Sequence, residues 1–314
     1  MICFVKHQDI DPAKWDDTVL SSRFSSRLAT FELLNALTAE AGWDALIEDD
    51  YAAVMPLPRR VKWGVPYIYT PFFISGLGIF SPKTVDAGKT STFFHSIPCK
   101  FRQVDLILNT ENDPSLLDTD LLQCVSHRLN LQQPYPTLFQ SFSQNTKRNI
   151  KTAQRHSLSL TENPDILEQT IELFKAYRGK SKAVNFRKRD YETLHRAAMS
   201  LHKAGALDLR GALTPTGELA AGALFLKEPG RTLFWFSGRN GSLSVSCPMF
   251  FIINEYIKEN AGKNIMLDFN GSSDENVARL YRSFGGMPYQ IPMIHYSAPW
   301  AGQWFVKLYR KLKG

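Results

Sequence analysis

The segment Asn264–Gly286 constrains the fold more than any other part of the chain, because a strand, a glycine turn and a helix follow one another in it without a linker. Residues 264–269 are mostly apolar and bounded by turn residues, as is typical of a buried strand. Gly271 permits a sharp exit, and Ser272, with a glutamate three residues later, forms a capping box that predicts the start of a helix. Gly285 stands where a left-handed C-cap belongs. We therefore expect a strand whose carboxyl end turns directly into an amphipathic helix.

Polar side chains gather where this strand ends. Asp268, Asn270 and Ser272 lie at its exit, and the helix carries Tyr281 and Arg282. Ligands of mixed sheets tend to bind just outside the carboxyl ends of strands. The cluster therefore predicts a ligand site, with Asn270, Ser272 and Arg282 as candidate substrate contacts. The alternative interpretation is a tightly turned strand–helix junction with no chemistry.

Three stretches carry a more specific pattern: Asp-Phe-Asn-Gly-Ser at 268–272, Tyr-Arg-Ser-Phe-Gly at 281–285, and Phe-Ser-Gln-Asn-Thr-Lys-Arg-Asn-Ile-Lys-Thr-Ala at 142–153. The first two resemble the strand exit and following helix of the GNAT acyltransferase superfamily, and more closely of its FemAB branch. The third resembles the Phe-x-x-x-x-Arg-Arg-Asn-Ile-Lys-Lys-Ala element of FemAB-like proteins, with two substitutions. All three stand in the family's order along the chain.

The resemblance implies an α+β fold of two GNAT-like units, each a mixed, mostly antiparallel sheet flanked by helices. The length of 314 residues independently favours two domains, since domains average ~100–200 residues. In the second half, two helices, an antiparallel meander, a helix, a strand, a helix and a last strand follow in the GNAT order. We therefore predict a degenerate N-terminal GNAT-like domain over 1–135 and a C-terminal GNAT-like domain over 136–314.

The loop Ser237–Pro248 leads from a predicted strand into a helix start, where backbone N–H groups and the helix dipole favour anions. GNAT enzymes hold the CoA pyrophosphate there through Arg/Gln-x-x-Gly-x-Gly/Ala, whereas this chain has Arg-Asn-Gly-Ser with its glycine one place early. FemAB-like proteins also lack that pattern, because their donor is an aminoacyl-tRNA. The resemblance therefore implies either acyl-CoA or aminoacyl-tRNA as donor, and a plain loop rich in small residues is the alternative. The candidate donor-binding residues are Ser237, Gly238, Arg239, Asn240, Gly241, Ser244 and Ser246.

Amide-forming acyl transfer requires one proton to leave the amine and one to reach the leaving group. Tyr281 matches the position at which GNAT enzymes often place a tyrosine that protonates the departing thiolate. Asp268 is the candidate acceptor of the amine proton, and its alternative role is to satisfy backbone donors at the strand end. We expect the Asp268 strand end and the loop Ser237–Pro248 to open side by side onto one crevice.

The positive charge is unevenly placed along the chain. Residues 1–155 carry 16 Lys+Arg and 16 Asp+Glu, so the net charge of +7 belongs entirely to residues 156–314. This indicates an anionic partner, such as CoA, a tRNA acceptor stem, an acidic peptidoglycan precursor or a membrane surface, unless the charge serves solubility alone. Lys147 and Arg148 are candidate phosphate contacts on the substrate side, since phosphates need only positioned cations.

Several other classes of function lack support in the sequence. The four cysteines are too scattered for a zinc site or a redox pair, and the seven histidines show no metal-like spacing, so we expect no metal. Nothing indicates DNA as a partner. The first residues lack a signal-peptide pattern, so we expect a cytoplasmic protein. The tail Gln303–Lys313 has the pattern of a basic amphipathic helix, which suits either weak contact with an anionic membrane surface or packing onto the domain.

Three hypotheses about function follow. The first is an acyl-CoA-dependent N-acyltransferase, whose acceptor is a small molecule or a peptidoglycan precursor. The second is a FemAB-like aminoacyl-tRNA transferase that acts on a peptidoglycan precursor. The third is a non-enzymatic small-molecule binding module on the same fold.

Overall fold

The computed structural model describes residues 1–38, 42–62, 64–177, 179, 186–271 and 274–297. They form two units: unit 1 contains Met1–Cys124 and the described residues from Gln290, and unit 2 contains Val125–Tyr289. This division differs from the predicted domains 1–135 and 136–314. The reason is that the last strand of the chain pairs with a strand of unit 1.

Unit 1 is a mixed sheet with helices packed against it. Its strands are β1 (Ile2–Val5), β2 (Trp43–Glu48), β3 (Ala53–Lys62), β4 (Val65–Tyr69), β5 (Gln103–Ile107) and the part of β12 (Met287–Ser297) from Gln290. Its helices are α1 (Pro12–Ser21), α2 (Phe31–Thr38) and α3 (Ala87–His95). The strand order is β1-β2-β3-β4-β5-β12, and β4 and β5 form the parallel pair. The other neighbours are antiparallel.

Unit 2 repeats this architecture. Its strands are the part of β6 (Asp120–Asn130) from Val125, β7 (Ser159–Thr161), β8 (Leu207–Leu213), β9 (Leu219–Glu228), β10 (Arg231–Arg239) and β11 (Met266–Asp268). Its helices are α4 (Tyr135–Ser141), α5 (Gln144–Gln154), α6 (Ile166–Tyr177), α7 (Lys188–Lys203), α8 (Pro248–Asn260) and α9 (Glu275–Ser283). The strand order is β7-β8-β9-β10-β11-β6, with β10 and β11 parallel and the other neighbours antiparallel. The predicted α+β class is confirmed.

Helices cover both faces of the unit 2 sheet. Helices α6 and α7 pack against β8, β9 and β10 on one face, which we call the α6 face. Helix α8 packs on the other, the α8 face, where Tyr256 stacks on Phe225 with ring centroids 3.7 Å apart. The α8 face also holds α5 and α9, whose buried side chains join the same hydrophobic cluster.

A row of three glycines brings α6 unusually close to the sheet. Gly211, Gly222 and Gly238 lie directly opposite one another on β8, β9 and β10. A Cβ atom at Gly222 would lie 1.8 Å from Thr170 Oγ1, and one at Gly238 would lie 2.2 Å from the Thr170 carbonyl oxygen. Only glycine permits this approach, which seats α6 beside the carboxyl end of β10.

The strand, turn and helix predicted from the opening segment are present with one change at the helix start. β11 ends at Asp268, and Gly271 and Gly285 have φ of +86° and +82°, as the predicted turn and C-cap require. The helix begins later than predicted, because Asp274 is its N-cap and its side chain accepts a hydrogen bond from Asn276 N. Ser272, the predicted cap, lies outside the described residues.

Candidate active site

The parallel strands β10 and β11 separate at their carboxyl ends. They pair only from Arg231 opposite Met266 to Leu233 opposite Asp268, and β10 then continues to Arg239. At ~3.3 Å per residue, β10 extends roughly 20 Å beyond its last pairing with β11. Within the described residues no other strand pairs with this side of β10 beyond the end of β11. The sheet therefore opens at the carboxyl ends of two parallel strands, where ligands of such sheets bind.

A β-bulge marks the start of this separation. The register of β10 with β9 shifts between Phe234 and Phe236, so that Trp235 is the additional residue. A bulge bends its strand and increases the local twist. The bulge thus follows directly on Leu233, the last residue of β10 that pairs with β11.

The loop that follows β10 runs into the N-terminus of α8. Asn240 Oδ1 accepts hydrogen bonds from the backbone N–H of Ser242 at 3.0 Å and from its hydroxyl at 2.6 Å. The Ser246 N–H donates to His156 Nε2 at 3.2 Å. Pro248 is the first helical residue, and Cys247 before it has a φ of +62°, a left-handed conformation that strains a residue with a side chain. The fold thus holds this loop in a fixed path in front of a 13-residue helix.

Burial raises the pKa of the Cys247 thiol, while Arg239 nearby acts in the opposite direction. The thiol is therefore protonated at neutral pH and is no nucleophile. What this junction offers a ligand is the positive end of α8.

The predicted donor-binding residues fall into two groups. Arg239, Gly241, Ser244 and Ser246 are exposed, and Asn240 is half-buried in the turn. Ser237 and Gly238 lie within β10 instead, and the close approach of α6 accounts for Gly238.

Tyr281 lies on the α8 face, against the end of β11. Its ring stacks on Phe269 with centroids 4.5 Å apart and meets the edge of Phe234 at 6.1 Å. The ring of the fully buried His127 lies 6.3 Å away, on β6. Burial lowers the pKa of His127, and the charge of Arg282 lowers it further, so the imidazole is neutral at neutral pH. A tyrosine and a neutral histidine thus share the buried side of the strand end.

Asp268 belongs to the opposite face. Adjacent residues of a strand point to opposite sides, so the side chain of Asp268 lies on the α6 face while that of Phe269 contacts Tyr281. Strands β10 and β11 are adjacent, and the crevice shared by the Asp268 strand end and the loop Ser237–Pro248 stays a prediction. The structure does not bring the two predicted catalytic side chains together.

The Asp268 carboxylate is fully occupied by hydrogen bonds. Oδ1 accepts from Ser126 Oγ at 3.2 Å and from Asn270 N at 3.0 Å. Oδ2 accepts from Arg128 Nε at 3.0 Å and from the Tyr289 hydroxyl at 2.6 Å. Two oxygens accepting two bonds each use all the lone pairs of a carboxylate. This matches the alternative role predicted for Asp268, which was to accept hydrogen bonds at the strand end, although most of its donors are side chains and not backbone groups.

Three residues of this region, Ser126, His127 and Arg128, were missed by the sequence analysis. They lie on β6, which was not predicted as a strand. The available signal was the alternation of Val125, His127 and Leu129 with the more polar Ser126 and Arg128, a period of two that indicates a strand.

The separated motifs of the sequence meet in the structure. At the start of α5, Ser143 N donates to the Ser283 carbonyl at 2.9 Å, and Thr146 Oγ1 donates to Ser283 Oγ at 2.7 Å. The rings of Phe142 and Phe284 meet edge to face with centroids 5.1 Å apart. Residues 142–153 thus support the end of the helix that carries Tyr281.

The predicted substrate contacts already have partners within the protein. Lys147 Nζ donates to the Gln140 carbonyl at 2.9 Å, and Arg148 Nη2 donates to Asn145 Oδ1 at 2.6 Å. Arg282 pairs with Glu275 on the exposed side of α9. Asn270, with a φ of +53°, serves the turn through its backbone.

Some predictions fall on residues that the structure does not describe. These are Ser272 and the tail Gln303–Lys313. Among the helices that are described, none is long and apolar enough to cross a membrane. In the same part of the chain, no three His, Cys, Asp or Glu side chains are grouped so that they could hold a metal ion.

The comparisons with known proteins agree with this geometry. Residues 140–281 match the family model described as Acetyltransferase (GNAT) domain. No curated protein sequence matches the chain.

Three similar solved structures each span nearly the whole chain. The crystal structure of FemX is 12% identical and covers 97% of this chain and 99% of its own, with a TM-score of 0.67. The structure of L-PGS from Bacillus licheniformis is 11% identical, covers 95% and 94%, and has a TM-score of 0.56. A tandem GNAT protein from the clavulanic acid biosynthesis pathway is 13% identical, covers 95% and 98%, and has a TM-score of 0.51.

Identities this low establish the fold rather than the reaction. The strand order of unit 2, its one parallel step and the family match at 140–281 agree with one another. The chain therefore has the tandem GNAT-like fold of FemX and of the tandem GNAT protein, and its residues 140–281 match the acetyltransferase (GNAT) domain model.

Proposed function

We propose that the protein is an acyltransferase that moves an acyl or aminoacyl group from an activated donor to an amine. The observation that carries the proposal is the separation of β10 and β11 in front of the N-terminus of α8. It supplies, in one unit, an open strand edge for an extended donor and a helix end for its negative charge.

The donor is proposed to lie along β10. An acyl-CoA has an extended arm with amide groups, which can bond to the backbone of an open strand edge, and phosphates, which suit the exposed loop 239–246 before α8. An aminoacyl-tRNA likewise carries an activated ester and, next to it, phosphates that the same loop could bind. The exposed residues Arg239, Gly241, Ser244 and Ser246 favour an anionic donor of either kind.

The transfer itself forms a bond between the amine nitrogen and the acyl carbon and breaks the bond from that carbon to sulfur or oxygen. The amine loses a proton, and the departing thiolate or alkoxide gains one. We assign the second step to Tyr281, because it lies at the strand end where the donor enters and follows the motif shared with the family. Since Asp268 has no lone pair left, the proton of the amine goes to another acceptor or to water.

A thermal-shift panel tests the proposal and identifies the donor. A ligand at one hundred times its Kd stabilises a protein by about 2.7 kcal/mol, which is a shift of several degrees. We expect either CoA thioesters or charged tRNA at low salt to raise Tm. If neither class does so, the transferase proposal is refuted and the binding-module hypothesis gains.

The acceptor is proposed to be the amine of a small molecule or of a peptidoglycan precursor. FemX among the similar structures favours the second, through the FemAB-like resemblance. Transfer of a radiolabelled acyl group from the donor that binds to each acceptor class separates the two.

A further inference from the structure

Arg128 is held in one orientation by a closed group of three side chains. Its Nε donates to Asp268 Oδ2 at 3.0 Å, and its guanidinium carbon lies 3.7 Å from the centroid of the Tyr289 ring. The Tyr289 hydroxyl donates to the same Oδ2 at 2.6 Å. Burial, and then the Asp268 charge, raise the pKa of Tyr289, so this donor stays protonated. The carboxylate and the ring together fix both the position and the plane of the guanidinium.

The carboxylate that anchors Arg128 is itself rigid. Asp268 lies directly opposite Arg128 in the β6–β11 ladder, and its side chain is 3% exposed. Its other oxygen is held by Ser126 and by the backbone of Asn270. Asp268 is therefore expected to keep its position when a ligand binds to Arg128.

Part of the Arg128 side chain remains accessible to solvent. The side chain of Arg128 is 28% exposed, although its anchor is buried. In the described part of the chain, the hydrogen bond from Nε is the one that Arg128 makes, so neither Nη group has a protein acceptor. Four N–H donors in a fixed plane form a fork that matches the two oxygens of a carboxylate or phosphate.

A second and more deeply buried arginine, Arg231, interacts electrostatically with Arg128. Burial lowers the pKa of Arg231, and repulsion from Arg128 contributes to the lowering, whereas Glu228 and Asp268 oppose it. The carboxylates of Glu228 and Asp268 face the same pair of cations, so the geometry of Arg128, and not an excess of positive charge, is what favours a bound oxyanion.

We infer that Arg128 binds an oxyanion, a carboxylate or phosphate, carried by the acceptor of the proposed transfer reaction. That the bound molecule is the acceptor rests on the proposed function, whereas the binding of an oxyanion by Arg128 does not. Arg128 and Asp268 lie on the α6 face, whereas the loop proposed for the donor phosphates leads into α8 on the other face. We assign the fork to a different negative group from that of the donor, because Arg128 lies on β6, which β11 separates from the β10 end that leads into that loop.

Anion titration of the whole protein in the absence of any donor tests this inference. The probes are inorganic phosphate and acetate, titrated calorimetrically at ionic strength matched with sodium chloride. We expect at least one of them to bind the wild type, and the stronger of the two indicates whether the acceptor carries phosphate or carboxylate.

Two variants locate the binding. Arg128→Gln removes the fork, and Arg128→Lys keeps a cation opposite Asp268 and so protects the fold. Because the lysine ammonium is taken up by Asp268, both changes should weaken anion binding about tenfold or more. Arg196→Gln, which removes an exposed arginine of α7 in the same unit, is the matched control and should bind as the wild type does.

The inference is overturned if neither phosphate nor acetate binds the wild type. It is also overturned if Arg128→Lys binds the anion with the same affinity as the wild type. Neither result bears on donor binding, which the thermal-shift panel measures separately. If the wild type binds the anion, both Arg128 variants bind it more weakly, and no donor raises Tm, then the anion site is supported and only the transferase proposal is refuted.

Discussion

At the scale of single residues, the structure reassigns the polar groups at the end of β11. The sequence placed Asp268 and Tyr281 at one strand end, and both are there. Period-two alternation then separates them, because Asp268 points to the α6 face and its neighbour Phe269 supports Tyr281 on the other. What could not be predicted was the partner strand, since Ser126 and Arg128 are distant in sequence and supply the contacts that fix Asp268.

The role of Tyr281 as proton donor gives the first prediction at this scale. Tyr281→Phe should lower kcat by about 10²-fold while leaving the donor-induced rise in Tm unchanged, because only the hydroxyl is lost. Tyr135→Phe, which removes another partly buried hydroxyl of unit 2, is the matched control. An unchanged kcat in Tyr281→Phe would remove this residue from the chemistry.

The second prediction concerns the pH dependence of stability. Burial and Arg282 lower the pKa of His127 in the folded protein, while Glu275 opposes them. In the unfolded chain the pKa of His127 returns to its ordinary value of 6.5, so the unfolded state binds a proton at this residue more readily than the folded state does. Stability is fully present above that value and falls as the pH drops below it, by at most about 1.4 kcal/mol per pH unit.

Urea unfolding of the wild type at a series of pH values measures this loss directly. His127→Gln should show a smaller loss of unfolding free energy on acidification, whereas His95→Gln, an exposed histidine of unit 1, should follow the wild type. Equal slopes for His127→Gln and the wild type would show that His127 is not the responsible group.

At the scale of elements, the clearest feature is the approach of α6 to the glycine row. Gly222→Ala places a Cβ atom 1.8 Å from Thr170 Oγ1 and 3.0 Å from Thr170 Cβ. Overpacking of this kind costs about 1–3 kcal/mol or more of unfolding free energy. Chemical denaturation measures it, and a change below about 0.5 kcal/mol would mean that α6 lies farther from the sheet.

Two further variants separate this clash from a general effect of alanine. Thr170→Ala combined with Gly222→Ala should recover part of the lost stability, because the closest atom is the threonine hydroxyl. Gly88→Ala in α3 meets only Asp86 Oδ1 at 3.5 Å, so it should be neutral or stabilising by up to about 1 kcal/mol.

Local signals predicted elements well where caps and turns were explicit. Helix α8 begins at Pro248, where the sequence predicted a helix start, and the antiparallel meander β8–β10 precedes it as predicted. Helix α1 was not predicted, although Asp11 and Pro12 carry its N-cap and first-turn signal. For α9 the helix was predicted but its N-cap was placed at Ser272, whereas Asp274, two residues later, is the N-cap in the structure.

At the scale of the whole molecule, the predicted α+β architecture of two similar units is confirmed, and the domain bounds 1–135 and 136–314 stay a prediction. In each unit four antiparallel strands in chain order lead to one parallel step, and a further strand pairs antiparallel beside it. That further strand is β12 in unit 1 and β6 in unit 2, so the last strand of the chain belongs to the first unit. Such long-range pairing leaves no local mark, which is why the predicted domains 1–135 and 136–314 differ from the units.

We propose that a donor binds where β10 leaves β11, in front of α8. Hydrogen–deuterium exchange, with and without the donor that raises Tm, tests it most directly. We predict that protection on binding concentrates in 234–250, at the open edge of β10 and the loop that follows it. Protection confined to other segments, with 234–250 exchanging as in the free protein, would contradict the account.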